Sequence, residues 1–342
     1  MDRIGLDLHK RECQLCTLTE EGEIIERRIA TTRARLTEVF GNRPPARILL
    51  EASTESEWVA RHLESLGHTV IVADPNFAPM YATRRRGVKT DRRDARTLMD
   101  ALRLGAYRAI HRASAGQRHV RAQLAVRDAL IRTRSRYVNV VRALTRREGL
   151  RVPTGNPEHL ERKLAGLDLD AALTAELAPL RVVLEPVNAE IERANAHLAA
   201  VAAGDPLIAR LCSMPQIGPV TAVAFVATLD DVARFRTAHQ VEGYLGLTPR
   251  EYSSGERQHR GRISKTGNPR MRALLVEAGW RILRSNDPAL AALRAWGEQV
   301  TTRRGNNVAA VALARRLAGI LYALWRDGTT YRAPAAREPR AA

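Results

Sequence analysis

Asp7 lies within an apolar run, Arg3-Ile4-Gly5-Leu6-Asp7-Leu8, that reads as a buried strand, where a carboxylate is costly unless it is paired or bound to a metal. Glu51 closes a second such run, Arg47-Ile48-Leu49-Leu50-Glu51. A third acidic feature, Lys89-Thr90-Asp91-Arg92-Arg93-Asp94-Ala95, opens a helix: Thr90 can cap it, and Asp91 and Asp94 share one face. Acids in a first turn suit the helix dipole by themselves, so this stretch gains meaning only beside the other two. Four carboxylates brought together repel one another unless divalent cations lie between them. The expectation is an acidic tetrad, Asp7, Glu51, Asp91 and Asp94, holding Mg²⁺, a hard ion suited to oxygen ligands. Two such ions about 4 Å apart stabilise the attacking and leaving oxygens of a phosphoryl transfer.

The order of elements supports this grouping. Residues 3–9, 12–18 and 23–30 read as three consecutive strands, with Glu20-Glu21-Gly22 as a turn. A helix at 32–40, the strand ending in Glu51, a helix at 57–66 and a strand at 69–73 follow. Antiparallel strands followed by alternating helix and strand give an α/β, ribonuclease H-like first domain over residues 1–112. Its first strand is central, with Asp7 beside the strand of Glu51 and the helix of Asp91 and Asp94 crossing both.

The rest of the chain reads as all-α. Residues 115–148 form a long helix with Val120, Leu124, Ile131, Val138 and Val141 on one seam and arginines, Arg121, Arg132 and Arg136 among them, on the other faces. A second helical stretch, 171–203, carries Pro179 and Pro186, which are expected to kink or split it. Together they read as a coiled-coil arm over 113–204, and 205–331 as a mostly helical domain; 332–342 reads as a disordered tail. Leu211 to Ala222 has the pattern of a helix-hairpin-helix, with Gly218 allowing a tight turn before backbone N–H groups that can accept a phosphate.

A formal net charge of +18 points to a polyanionic partner, nucleic acid before an anionic membrane. Arg84, Arg85, Arg86 and Lys89 directly precede the acidic helix and read as a grip on a nucleic-acid backbone. Farther on, Arg257, Arg260, Arg262, Lys265 and Arg270 crowd Ser253-Ser254-Gly255 and Ser264, and glycines there mark close backbone approaches. Cations beside a serine can bind phosphate or stabilise a charged phosphorus during serine attack. Cys13 and Cys16 have the spacing of half a zinc site but fall in a strand pattern with no second pair of ligands, so they read as core thiols. No signal-peptide pattern opens the chain, and Arg315 and Arg316 interrupt the apolar stretch 308–325, so the expectation is a cytoplasmic chain without a membrane span.

Taken together, Gly5-Leu6-Asp7-Leu8-His9-Lys10, the Glu51 strand, Lys89 to Ala95, Pro215 to Ala222, and Ser253-Ser254-Gly255 with Arg260 to Asn268 resemble the Piv invertase-like insertion-sequence transposases. These are DEDD-type recombinases, several of them guided by a bridge RNA. The resemblance covers nearly the whole chain in order. It implies a Holliday-junction-resolvase-like first domain, a coiled-coil arm and a C-terminal transposase domain. It implies that the tetrad binds Mg²⁺, two ions in all, and that Ser254, with Ser253 as rival, attacks a DNA phosphate and holds it covalently. It also implies DNA and a structured noncoding guide RNA as partners, and a homo-oligomer, dimer or tetramer, in which one subunit's serine domain completes another's acidic site. A site-specific invertase without a guide RNA and a nucleic-acid-binding protein with a dead site are the alternatives.

Overall fold

The computed structural model describes residues 1–82, 90–251 and 260–333, which divide into two compact units, Met1–Arg112 and the chain from Ala113 on. The first unit is built on five strands. β1 (Arg3–Leu8), β2 (Glu12–Leu18) and β3 (Ile24–Ala30) form an antiparallel meander, followed by α1 (Arg33–Phe40), β4 (Arg47–Glu51), α2 (Ser56–Ser65), β5 (Thr69–Ala73) and α3 (Asp91–Leu104). The sheet order is β3-β2-β1-β4-β5, with β1, β4 and β5 parallel, so the first strand is central as expected.

Strand alternation sorts the core into two faces. Ile4, Leu6, Ile48 and Leu50 pack with Leu36 and Phe40 of α1 and Val59 and Leu63 of α2. On the opposite face, Leu49 packs with Leu98, Ala101 and Leu102 of α3, and Cys16 with Ala95 and Met99. Cys13 and Cys16 are buried free thiols, as their strand pattern implies.

Gly5 decides how closely α3 can approach. A Cβ there would lie 2.1 Å from the Ala95 carbonyl oxygen and 2.3 Å from the Met99 nitrogen, so the helix backbone rests directly on β1. The Thr90 side chain caps α3 by accepting from Arg93 N, and Gly105 ends it in the left-handed conformation with φ 68°. The buried face of α3 is Ala95, Leu98, Met99 and Leu102; one turn earlier, Asp94 and Asp91 continue that face towards the strand ends.

In the second unit, α4 (Ala115–Arg147), α5 (Leu160–Leu164) and α6 (Ala171–Ala203) precede a helical bundle. α6 runs unbroken through Pro179 and Pro186, so the expected split does not occur. Both prolines lie on its exposed side, whereas Leu177, Leu184, Ile191 and Leu198, seven residues apart, are buried. Each proline removes one N–H, and packing along α4 holds the helix across the gap. The two helices run antiparallel. Gln123 meets His197 at 2.8 Å, Arg127 donates to Asn195 at 2.6 Å, and the buried Arg134 donates to Asn188 at 3.3 Å and Glu158 at 3.1 Å.

The bundle comprises α7 (Pro206–Cys212), α8 (Pro219–Leu229), α9 (Ala238–Tyr244), a two-stranded ribbon of β6 (Pro249–Glu251) and β7 (Arg260–Ile263), then α10 (Pro269–Arg284), α11 (Ala291–Arg304) and α12 (Asn306–Asp327). α12 is the one helix among the described residues long and apolar enough to cross a membrane, and half of that stretch is buried. Leu313, Leu317 and Leu321 of α12 join Phe225 of α8 and Leu275 of α10 in one core, the packed role its interrupting arginines suggest.

Candidate functional site

At the C-terminal end of the central parallel strands, Leu6 of β1 pairs with Leu50 of β4, so Asp7 and Glu51 leave adjacent strands at one level. This is where open α/β sheets place their ligands. Asp7, Glu51 and Asp94 line one cavity of about 460 Å³ together with His9, Ser53 and Tyr81. Asp91 is also a neighbour of His9, whose Nε2 is 3.2 Å from Asp7 Oδ2 and 3.5 Å from Asp91 Oδ1. The four acids of two strands and one helix therefore share a neighbourhood.

The electrostatics of Asp7 record that crowding. Its side chain is 14% exposed, and its Oδ2 is buried without a hydrogen bond. Its pKa is pushed up from 3.8 to about 6, first by desolvation; His9 opposes the rise, and Asp94, Asp91 and Glu51 add to it. Glu51 is held in place, since the Tyr81 hydroxyl, which also lies 3.1 Å from the Pro75 carbonyl, donates to its Oε1 at 2.7 Å.

Tyr81 and His9 are the site residues that sequence reasoning gave no role. For His9 a signal existed: two residues beyond Asp7, it follows the same strand alternation. Tyr81 gave none, because it reaches Glu51 through a one-turn 3-10 helix, Ala78–Tyr81, that no apolar period announces.

Ser253, Ser254 and Arg257 lie outside the described residues, as do Arg84, Arg85, Arg86 and Lys89. Below the ribbon, Gly246 (φ 68°) and Gly267 (φ 69°) clasp two backbone segments: a Cβ on Gly246 would be 2.2 Å from the Thr266 oxygen, and one on Gly267 2.1 Å from the Tyr244 oxygen. Arg272 closes the clasp by donating to the carbonyls of Leu245 and Thr266. Asn268 caps α10 and also donates to Thr228 Oγ1 at 3.2 Å. We expect Gly267→Ala to lower the melting temperature by several degrees, whereas Gly149→Ala, at φ 77° but in open space, costs only the backbone strain of about 1 kcal/mol. Equal losses in a thermal melt would show that the clasp is not tight.

The remaining basic positions differ in what they do. Arg121 donates to the carbonyls of Ala227 (2.6 Å) and Thr228 (3.0 Å) at the end of α8, and Arg270 reaches Asp128 at 3.4 Å. Arg132, Arg136, Arg262 and Lys265 are exposed, Arg132 pairing with Asp128. Arg260 lies on β7. Gly218 is the N-cap of α8 with an ordinary φ of −89°, and the left-handed residue of the α7–α8 turn is Gln216 (φ 70°).

Two family models match this chain. One, described as a transposase of the IS110 DEDD type, covers residues 4–147, and one described as "Transposase IS116/IS110/IS902 family" covers residues 208–294. A "Probable family 20 transposase" of Pseudomonas aeruginosa is 34% identical over 97% of this chain and 99% of its own length. The chain belongs to the IS110/IS116 transposase family. The "Transposase for insertion sequence element IS1111A" of Coxiella burnetii is 29% identical over 96% of this chain and 91% of its own, and that of IS1328 from Yersinia enterocolitica is 27% identical over 96% and 98%. IS110/IS116 transposases are DNA-binding enzymes that cleave and rejoin DNA, and the DEDD type implies use of a divalent metal. The residues present fit such an ion. The buried Asp7 Oδ2 lacks a hydrogen bond, and its carboxyl, pushed up by desolvation and by the neighbouring Asp94, Asp91 and Glu51, is a site that a cation would relieve.

Proposed function

We propose that this transposase excises and inserts an insertion sequence through a two-Mg²⁺ acidic site, Asp7, Glu51, Asp91 and Asp94, and a serine nucleophile, Ser254 with Ser253 as rival. The observation that carries the reading is the convergence of those acids at the ends of the central strands around a buried oxygen without a hydrogen bond, in a chain of a DNA-cleaving family. When bound, Mg²⁺ supplies charge stabilisation to the attacking and leaving oxygens. The protein's own part is to hold the carboxylates. β1 fixes Asp7, α3 resting on Gly5 fixes Asp91 and Asp94, and Tyr81 orients Glu51.

In the serine step, Oγ bonds to phosphorus as the bond from phosphorus to the departing sugar oxygen breaks. A second strand's hydroxyl then attacks the same phosphorus and releases the serine, so no phosphodiester is lost. The nucleic-acid surface is formed by Arg132, Arg136, Arg262 and Lys265, joined by Arg84, Arg85, Arg86, Lys89, Arg257 and Arg260. Arg121 and Arg270 serve mainly to hold the bundle, because they are half-buried with their guanidinium groups on protein acceptors, whereas Arg132 is exposed. Guidance by a structured noncoding RNA, assembly of more than one copy so that one serine domain serves another's acids, and action in the cytoplasm complete the proposal; it is supported by the basic surface and by the resemblance of the motifs.

The test is strand exchange on a plasmid bearing both element ends, with and without the transcript of the element's noncoding flank. Ser254→Ala should remove the covalent protein–DNA species from denaturing gels and reduce exchange on the order of 10³-fold or more. Loss with Ser253→Ala alone would move the role to its neighbour. Full exchange by the double variant would overturn the serine mechanism, and full exchange without RNA would overturn guidance.

A further inference from the structure

The acidic reading uses four carboxylates, yet the side chain between two of them is an imidazole. The geometry points to His9 as a nitrogen ligand at this site, shared with Asp7 and Asp91, that biases it toward Mn²⁺ over Mg²⁺. This inference rests on the acidic-site reading and deepens it.

Three observations carry the assignment. First, the ligand atoms of Asp7, His9 and Asp91 all lie within 4.8 Å of one another, with His9 Nε2 at 3.2 and 3.5 Å from the two carboxylates. A six-coordinate ion with bonds of about 2.1 Å sets neighbouring ligand atoms about 3 Å apart, so these separations suit ligands converging on one ion. Second, His9 Nε2 comes within 3.2 Å of Asp7 Oδ2, yet that oxygen makes no hydrogen bond. The pair is close but not aligned as donor and acceptor, which is how two ligands of a third body face each other. Third, the backbone of His9 is fixed: its N–H donates to the Glu12 carbonyl at 3.2 Å, and its carbonyl accepts from Thr31 Oγ1 at 2.9 Å. The imidazole thus leaves a pinned turn, and its side chain is 56% exposed.

The chemistry sets the preference. Mg²⁺ favours oxygen ligands and keeps its waters, while imidazole nitrogen binds the later divalent ions of the first transition row more readily, Mn²⁺ being the mildest of these. Removing the imidazole should therefore weaken Mn²⁺ more than Mg²⁺.

The experiment uses the full chain without DNA. Mn²⁺ binding is followed by loss of the free-ion electron paramagnetic resonance signal, Mg²⁺ by competition, and directly bound nitrogen by electron spin-echo modulation. We expect His9→Ala to weaken Mn²⁺ binding at least about tenfold and Mg²⁺ less than about threefold, and to abolish a nitrogen modulation present in the parent protein. His9→Gln, which keeps a hydrogen-bonding side chain without an imidazole, should behave like Ala. No nitrogen modulation in the parent protein, or tighter binding of both ions by His9→Ala, overturns the inference, the latter outcome making His9 a counter-ion of the acids. Asp7→Asn separates the two levels. If it leaves Mn²⁺ binding unchanged, the acidic-site reading itself fails; if it abolishes binding while His9→Ala has no effect, only the role of His9 fails.

Discussion

Asp7→Asn should abolish strand exchange, by a factor on the order of 10³ or more, and at the same time make the metal-free protein more stable. The second effect follows from linkage. The folded-state pKa of Asp7 is raised to about 6 from 3.8, so between those values the folded chain keeps a proton that the unfolded chain has lost. Stability therefore falls as pH rises through that window, and the penalty is complete above about pH 6. Asparagine removes it. Because solvent still reaches 14% of the side chain, we expect a gain of about 1 to 2 kcal/mol at pH 7.5 and none at pH 4. Added Mg²⁺ should raise the melting temperature of the parent protein and leave that of Asp7→Asn unmoved. Melting curves at the two pH values, with and without Mg²⁺, check all three points. Destabilisation by Asp7→Asn at pH 7.5 would contradict the raised pKa, and a parental response to Mg²⁺ in the variant would remove Asp7 from the ion site.

Gly5→Ala should lose both stability and site, through one methyl group. The atoms it would meet, at 2.1 and 2.3 Å, belong to the backbone of α3, so no rotamer change relieves the contact and the helix must move. We expect a loss of about 3 kcal/mol or more in urea unfolding, with the Mg²⁺-dependent rise in melting temperature gone even at temperatures where the protein remains folded. A variant with the parental melting temperature and the parental response to Mg²⁺ would show that α3 does not depend on this approach.

Much of this architecture could be read in the chain because burial and period point the same way. The meander, the central first strand and the α3 cap at Thr90 each follow from an apolar alternation, a turn residue or a capping side chain. The acids at the strand ends were legible because a charge in an apolar run needs an explanation. What escaped depends on packing between distant segments. Tyr81 meets Glu51 across thirty positions of sequence by a local turn, and His9 matters only once α3 lies beside it. Gly5 reads as an ordinary strand residue until the helix above it is known. The prolines of α6 misled for a related reason: local propensity argues for a break, but a partner helix on the opposite face overrides it.

The polar pairs between α4 and α6 have a consequence for length. Arg127 opposite Asn195 and Arg134 opposite Asn188 repeat at one heptad, as the leucines do. Sliding the helices by seven residues would keep leucine against leucine, but one direction sets Arg134 against Arg181 and the other sets Arg127 against Ala202. Only one alignment satisfies both guanidinium groups. The pair thus behaves as a ruler that cannot be reset. With 33 residues in each helix it spans roughly 50 Å, and its tip stays at a constant distance from the bundle at its root.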